Sequence, residues 1–159
     1  MTWRLKRPAW AIQLIVGLLT MFSVLVGPMA YAASNSVVQR YSTSIGTVTL
    51  TQGWYNATTQ AGFGLKKIVN KHGFLQGSMQ VMQDTLTRPG HVYPVETATG
   101  NPDGWEFYSS TRDSLNGKVY TMVVVVTLDK FINTAYFRLG TGIVDAPYGI
   151  NTGFYKYLS

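Results

Sequence analysis

Two histidines, His72 and His91, are the side chains of this 159-residue chain best suited to exchanging protons near neutrality. His72 closes a segment that also carries Lys66, Lys67 and Lys71, so an imidazole sits within two turns of fixed cations. That combination suits cleavage of RNA without a metal. The 2′-hydroxyl has to lose a proton, the phosphorane has to be stabilised, and the leaving 5′-oxygen has to gain a proton. The same spacing also fits a structural reading, with His72 as a core or capping histidine and the lysines as a solvated face. Other catalytic signatures are missing: there is no thiol, no G-x-S-x-G, no phosphate-binding glycine loop and no His-x₃-His spacing. The seven acids are scattered, with no close pair in a strand to suggest glycoside hydrolysis. The residues therefore imply neither a metal site nor a cofactor.

Positioning these groups is the task of the chain after its leader. Arg4, Lys6 and Arg7 precede an uncharged stretch from Ala9 to Gly27, then Pro28 and the small-residue pattern Ala30-Tyr31-Ala32. This predicts a secretory signal peptide over residues 1–32, cleaved after Ala32, and a secreted mature chain with no stable membrane anchoring. A permanent anchor is the alternative, because about 19 mostly apolar residues could just span a bilayer; Pro28 and the small residues after it favour cleavage. Three of the thirteen basic residues lie in the leader, which leaves ten against seven acids, a net +3 for the mature chain. A mild positive balance permits an anionic partner without requiring one. With no cysteine, the core must hold by packing alone, and a lipoprotein anchor is excluded.

In the mature chain, 33–44 is polar and reads as a loose leader, and Ile45, Val48 and Leu50 alternate with threonines in a strand at 45–55. Residues 33–60 are thus expected as an N-terminal strand and linker ahead of a domain at 61–159. Leu65, Ile68, Val69 and His72 recur at helical spacing, and Gly73 follows where a helix stop favours glycine. Met79, Met82 and Leu86 predict a second short helix within 76–86. The period then changes to two. Strands are expected at 91–97, with Pro94 confining that one to an edge, at 105–111, at 119–128 as a central strand, and at 131–139. Gly100 to Gly104 reads as a turn, Asn116-Gly117 as a hairpin signal, and 154–158 as a short edge strand. The predicted class is α+β: one or two short helices followed by a four- to five-stranded antiparallel sheet.

The run from Gly62 to Gly73 (GFGLKKIVNKHG), followed by the valine-rich 123–126, the turn at Asp129-Lys130 and Asn133-Thr134-Ala135-Tyr136, carries a resemblance. Over residues 61–139 it resembles the toxin-type ribonucleases grouped with barnase, EndoU, colicin D and RelE. Lys67 stands where many relatives have a first histidine. The resemblance implies a secreted, metal-independent endoribonuclease that acts as a monomer on RNA, with an immunity protein as a possible partner. Carried over, His72 would be the general acid or base, and Lys67 and Lys71 would hold the phosphate. Thr134 and Tyr136, on one strand face, would bind phosphate or orient the base. Arg112 is a further phosphate candidate and His91 a candidate second proton carrier. The rival expectation is a non-enzymatic binding module, for cell-wall glycan or protein, built on the abundant aromatics (Trp54, Trp105, Phe107, Tyr108, Tyr148, Phe154).

Overall fold

The computed structural model describes residues 35–158; the expected signal peptide at 1–32 lies outside them. Two hairpins come first: β1 (Val37–Thr43) with β2 (Gly46–Thr51), and β3 (Trp54–Asn56) with β4 (Ala61–Phe63). Helices α1 (Gly64–His72) and α2 (Gln76–Thr87) follow. Then come β5 (His91–Glu96), β6 (Pro102–Asp113), β7 (Val119–Thr127), β8 (Ile132–Leu139) and β9 (Gly142–Val144). The one-turn α3 (Tyr148–Asn151) and β10 (Tyr155–Leu158) complete the order. The protein is α+β. Six strands form one antiparallel sheet in the order β10-β6-β7-β8-β9, with β5 also paired to β6. Because β7 occupies one edge of β6, β5 and β10 lie end to end along the other, against 102–108 and 110–113 respectively.

Alternation along the central strands decides which face is core. Tyr120, Met122, Val124 and Val126 of β7 join Phe107 of β6 and Ala135 and Phe137 of β8 in one buried cluster. Val81, Met82 and Leu86 of α2 complete that side, and Thr85 and Ser109 hydroxyls meet at 2.6 Å to pin α2 to β6. Burial of this apolar face drives the sheet and α2 together.

From residue 35 on, the segment expected to be a loose leader instead carries β1. Its polar residues alternate around Tyr41, and β1 delivers that ring into the core beside Val48 and Leu50 of β2. The hairpin shares the core of the helices and sheet, so the chain before residue 60 is more than a strand and linker. The single strand expected at 45–55 is split into β2 and β3. The turn expected at 100–104 falls earlier: Thr97 N–H donates to Asn101 O at 2.8 Å, and β6 already runs from Pro102. Asn116-Gly117 lies in a five-residue loop closed by Asp113 N–H donating to Lys118 O, 2.9 Å, and Gly117 takes the left-handed φ of 72°.

Helix α1 ends as its sequence implies. Gly73, at φ 67°, donates its N–H to Val69 O at 3.0 Å. Asn151 of α3 then ties down the connection to α2. Its Nδ2 donates to Gly73 O at 2.8 Å, and its Oδ1 accepts from Leu75 N–H at 3.0 Å. His72 O accepts from Ala146 N–H at 2.9 Å, so the end of α1 that carries His72 is anchored from the tail of the chain.

Candidate functional site

Helix α1 runs beside β8, sends Ile68 into the core, and brings His72 to Tyr136, with ring centroids 5.8 Å apart. Tyr136 pairs with Val123, on the face of the sheet opposite the core. Two residues assigned to the site by the resemblance are thus neighbours. Thr134 lies on the same face of β8, one pleat away. Lys67 and Lys71 flank His72 on α1, and their charges act on its ring.

His72 is not in an open cleft, however. It is 6% exposed. Burial first, then Lys71 and Lys67, push its pKa down to about 4, against a smaller upward pull from Asp145. The imidazole is therefore neutral at pH 7, a weak base and no source of protons. Burial, with Lys71 next to it, also holds the Lys67 ammonium below its usual range. The consequence for stability is measurable. A base whose folded pKa lies below its unfolded value binds fewer protons when folded, so stability is full above about pH 6.5 and falls as pH drops toward 4. The loss should approach roughly 2–3 kcal/mol. Urea denaturation of wild type and His72→Gln between pH 7.5 and 4.5 checks it; parallel curves would show that His72 is not responsible.

The residues expected apart from α1 sit elsewhere on the same outer face. In β5 and β6, His91 pairs with Tyr108 and Tyr93 with Glu106; across β7, Glu106 and Thr134 flank Val125, and Tyr108 and Tyr136 flank Val123. With strands about 4.8 Å apart, each flanking pair is about 10 Å apart at Cα, a span that the long side chains narrow. One row further on, Ser110, Thr121 and Arg138 line up. Arg112 is exposed at the far end of β6, opposite Lys156 of β10, a like-charged cross-strand pair. The sheet thus gathers His91, Thr134 and Tyr136 on one face, with Arg112 toward its basic end, while His72 reaches that face only at the β8 edge.

Three further groups complete the face. The Tyr108 hydroxyl donates a short hydrogen bond to Glu106. Burial and that bond push the Tyr108 pKa up to about 12, so it stays a donor. Burial and then the Glu106 charge also raise Tyr136, while Arg138 pulls it the other way. Carboxylate, guanidinium and two phenols therefore sense one another. Arg138 Nε and Thr134 Oγ1 are both buried and without a hydrogen-bond partner. Among the described residues the ion pair is Arg88–Asp84 at the end of α2, and Arg138 belongs to none. Buried polar atoms are almost always partnered, but Thr51 Oγ1 and Thr111 Oγ1 are unpartnered as well, so the two on this face do not by themselves mark a ligand site.

Compared with protein-family profiles, curated proteins and solved structures, the chain matches none.

The sequence did carry a signal for Glu106 and Arg138. Trp105 to Arg112 alternates, which sets Glu106, Tyr108, Ser110 and Arg112 on one face, and Arg138 continues the series Thr134, Tyr136. Among the described residues no three His, Asp or Glu side chains converge as a metal-binding group, and no helix is long and apolar enough to cross a membrane. A hollow of ≈ 340 Å³ opens on this face beside His91, Tyr93, Tyr108, Ser110, Thr121 and Leu158. A larger one, ≈ 470 Å³, lies by the start of α2 and is lined by Gln76, Gln80, Asn151 and Thr152, among others, with Tyr155 its one titratable side chain. Its lining includes no carboxylate, imidazole or cation.

Proposed function

We propose that this protein cleaves RNA by metal-independent transesterification on the outer face of its sheet. The observation that carries the reading is the cluster of Glu106, Tyr108, Tyr136 and Arg138 on that face, a carboxylate, two phenols and a guanidinium whose charges act on one another. Arg138 and Thr134 bind the non-bridging oxygens of a phosphodiester, as a guanidinium does well. Glu106, oriented by Tyr108, accepts the proton of the 2′-hydroxyl. The 2′-oxygen attacks phosphorus, the P–O5′ bond breaks, and His91 gives a proton to the leaving 5′-oxygen. The products are a 2′,3′-cyclic phosphate and a free 5′-hydroxyl. Tyr136 hydrogen-bonds the phosphorane, and His72, neutral and buried, holds the Tyr136 ring as a positioning residue. Arg112 and Lys156 at the basic end of the face draw in the rest of the backbone.

Protein expressed from the full-length sequence and incubated with total RNA in EDTA should yield fragments with cyclic phosphate ends. A DNA strand of the same sequence, lacking the 2′-hydroxyl, should stay intact. RNA left whole under these conditions overturns the reading. The exposed aromatic group on the same face would then favour a binding module for glycan or protein.

A further inference from the structure

The hollow between β5 and β10 adjoins that chemistry through His91 and Tyr108, and its remaining lining has no role in it. Leu158 of β10 stands opposite Ser110 and His91 of β5 opposite Tyr108, and the hollow lies along β6 beside these residues, as a notch. On one wall the rings of His91 and Tyr93 stack with centroids 5.8 Å apart and planes 23° from parallel. Tyr108 meets Tyr93 edge-on at 5.6 Å. Tyr93 is 53% exposed, so an aromatic face stands open to solvent rather than packed. Ser110 and Thr121, half-buried neighbours across β6 and β7, also line the hollow and supply hydroxyls. The ≈ 340 Å³ volume falls at the lower end of small-molecule sites, which run from about 300 to 1,000 Å³.

We infer that this notch is a subsite for one unpaired nucleobase, stacked on the His91–Tyr93 wall and read at its edge by Ser110 and Thr121. This rests on the RNA reading and deepens it. Exposed aromatic rings with hydroxyls in the same hollow suit a planar heterocycle, the way single-stranded bases are held. His91 and Tyr108 border both the notch and the reaction centre. A base seated in the notch directs its own ribose and 3′-phosphate toward the reaction centre that His91 and Tyr108 share. The nucleotide recognised is the one that keeps the cyclic phosphate, and the strand 3′ of the cut follows Arg112 and Lys156.

The test uses the full-length chain and measures binding apart from cleavage. The four nucleoside 3′-monophosphates, ribose 3-phosphate and chitobiose are titrated by calorimetry against wild type, Tyr93→Phe, Tyr93→Ala and Thr121→Val. At least one nucleotide should bind tenfold or more tightly than ribose 3-phosphate. Tyr93→Ala should remove that advantage and Tyr93→Phe keep it; Thr121→Val should change the ranking among bases. Circular dichroism of Tyr93→Ala establishes that it is folded. Ribose 3-phosphate binding as tightly as every nucleotide, or an unchanged advantage in folded Tyr93→Ala, overturns the subsite even if RNA is cut. Tighter binding of chitobiose overturns it in favour of a carbohydrate site. Nucleotide binding lost in Tyr93→Ala, with RNA left uncut by wild type, keeps the subsite and removes the ribonuclease reading.

Discussion

Glu106→Gln should lower RNA cleavage by roughly 10²- to 10⁴-fold, the range expected when a general base is removed. Glutamine keeps the shape of the side chain and an oxygen that can accept the Tyr108 hydroxyl, but its amide cannot take up the proton of the 2′-hydroxyl. The fold should survive: Glu106 is only half-buried and its partner lies on the open face. An unchanged melting temperature at pH 7 would show this. The informative comparison is with His72→Gln. A proton carrier at the end of α1 is what the GFGLKKIVNKHG run implies, and it would make His72 the costlier loss. A neutral imidazole with a pKa of about 4, 6% exposed and flanked by Lys67 and Lys71, implies the reverse order. Single-turnover rates of both variants at pH 7 decide the matter. Near-wild-type cleavage by Glu106→Gln with a large loss in His72→Gln would return the reaction centre to α1.

Much of the scaffold could be read from the sequence because the residues that make it are local signals. The helical stripe Leu65, Ile68, Val69, His72 with Gly73 behind it fixes α1 within two residues, and Pro94 correctly marks β5 as an edge. The fold class followed from the change of period. The first hairpin was hidden because β1 buries a single large side chain, Tyr41, among polar neighbours, and because a strand facing mostly water has no apolar pattern. The site was legible only in part. Thr134 and Tyr136 belong to one face by alternation alone. Their relation to Glu106 depends on the register of three strands, and no spacing along the chain encodes that. The His72 environment was illegible for a different reason. A stripe shows that a side chain points inward, but the depth of burial, and hence the loss of its charge, comes from elements as distant as β8 and the loop carrying Asp145.

The register that aligns Glu106 with Val125 depends on a close approach two residues earlier, and Gly104→Ala should destabilise the protein by about 3–5 kcal/mol. Gly104 lies within β6, paired with Thr127, at φ +146°, a region that side-chain-bearing residues rarely adopt. A Cβ there would stand 2.0 Å from Val126 O and 3.2 Å from Thr127 Cα, both backbone atoms of the central strand that cannot swing aside. The loss is large against the ~5–15 kcal/mol by which domains are usually stable. Gly100→Ala separates the two causes. Gly100 also has a positive φ, +79°, but a Cβ built on it meets nothing within 4 Å, so only backbone strain applies, about 1–2 kcal/mol. Urea unfolding of both variants at pH 7.5, where His72 is neutral in either state, gives the comparison. Equal losses would mean that the β6–β7 approach costs nothing beyond dihedral strain. A greater loss in Gly104→Ala would show that this contact holds the two strands in the register on which the outer face is built.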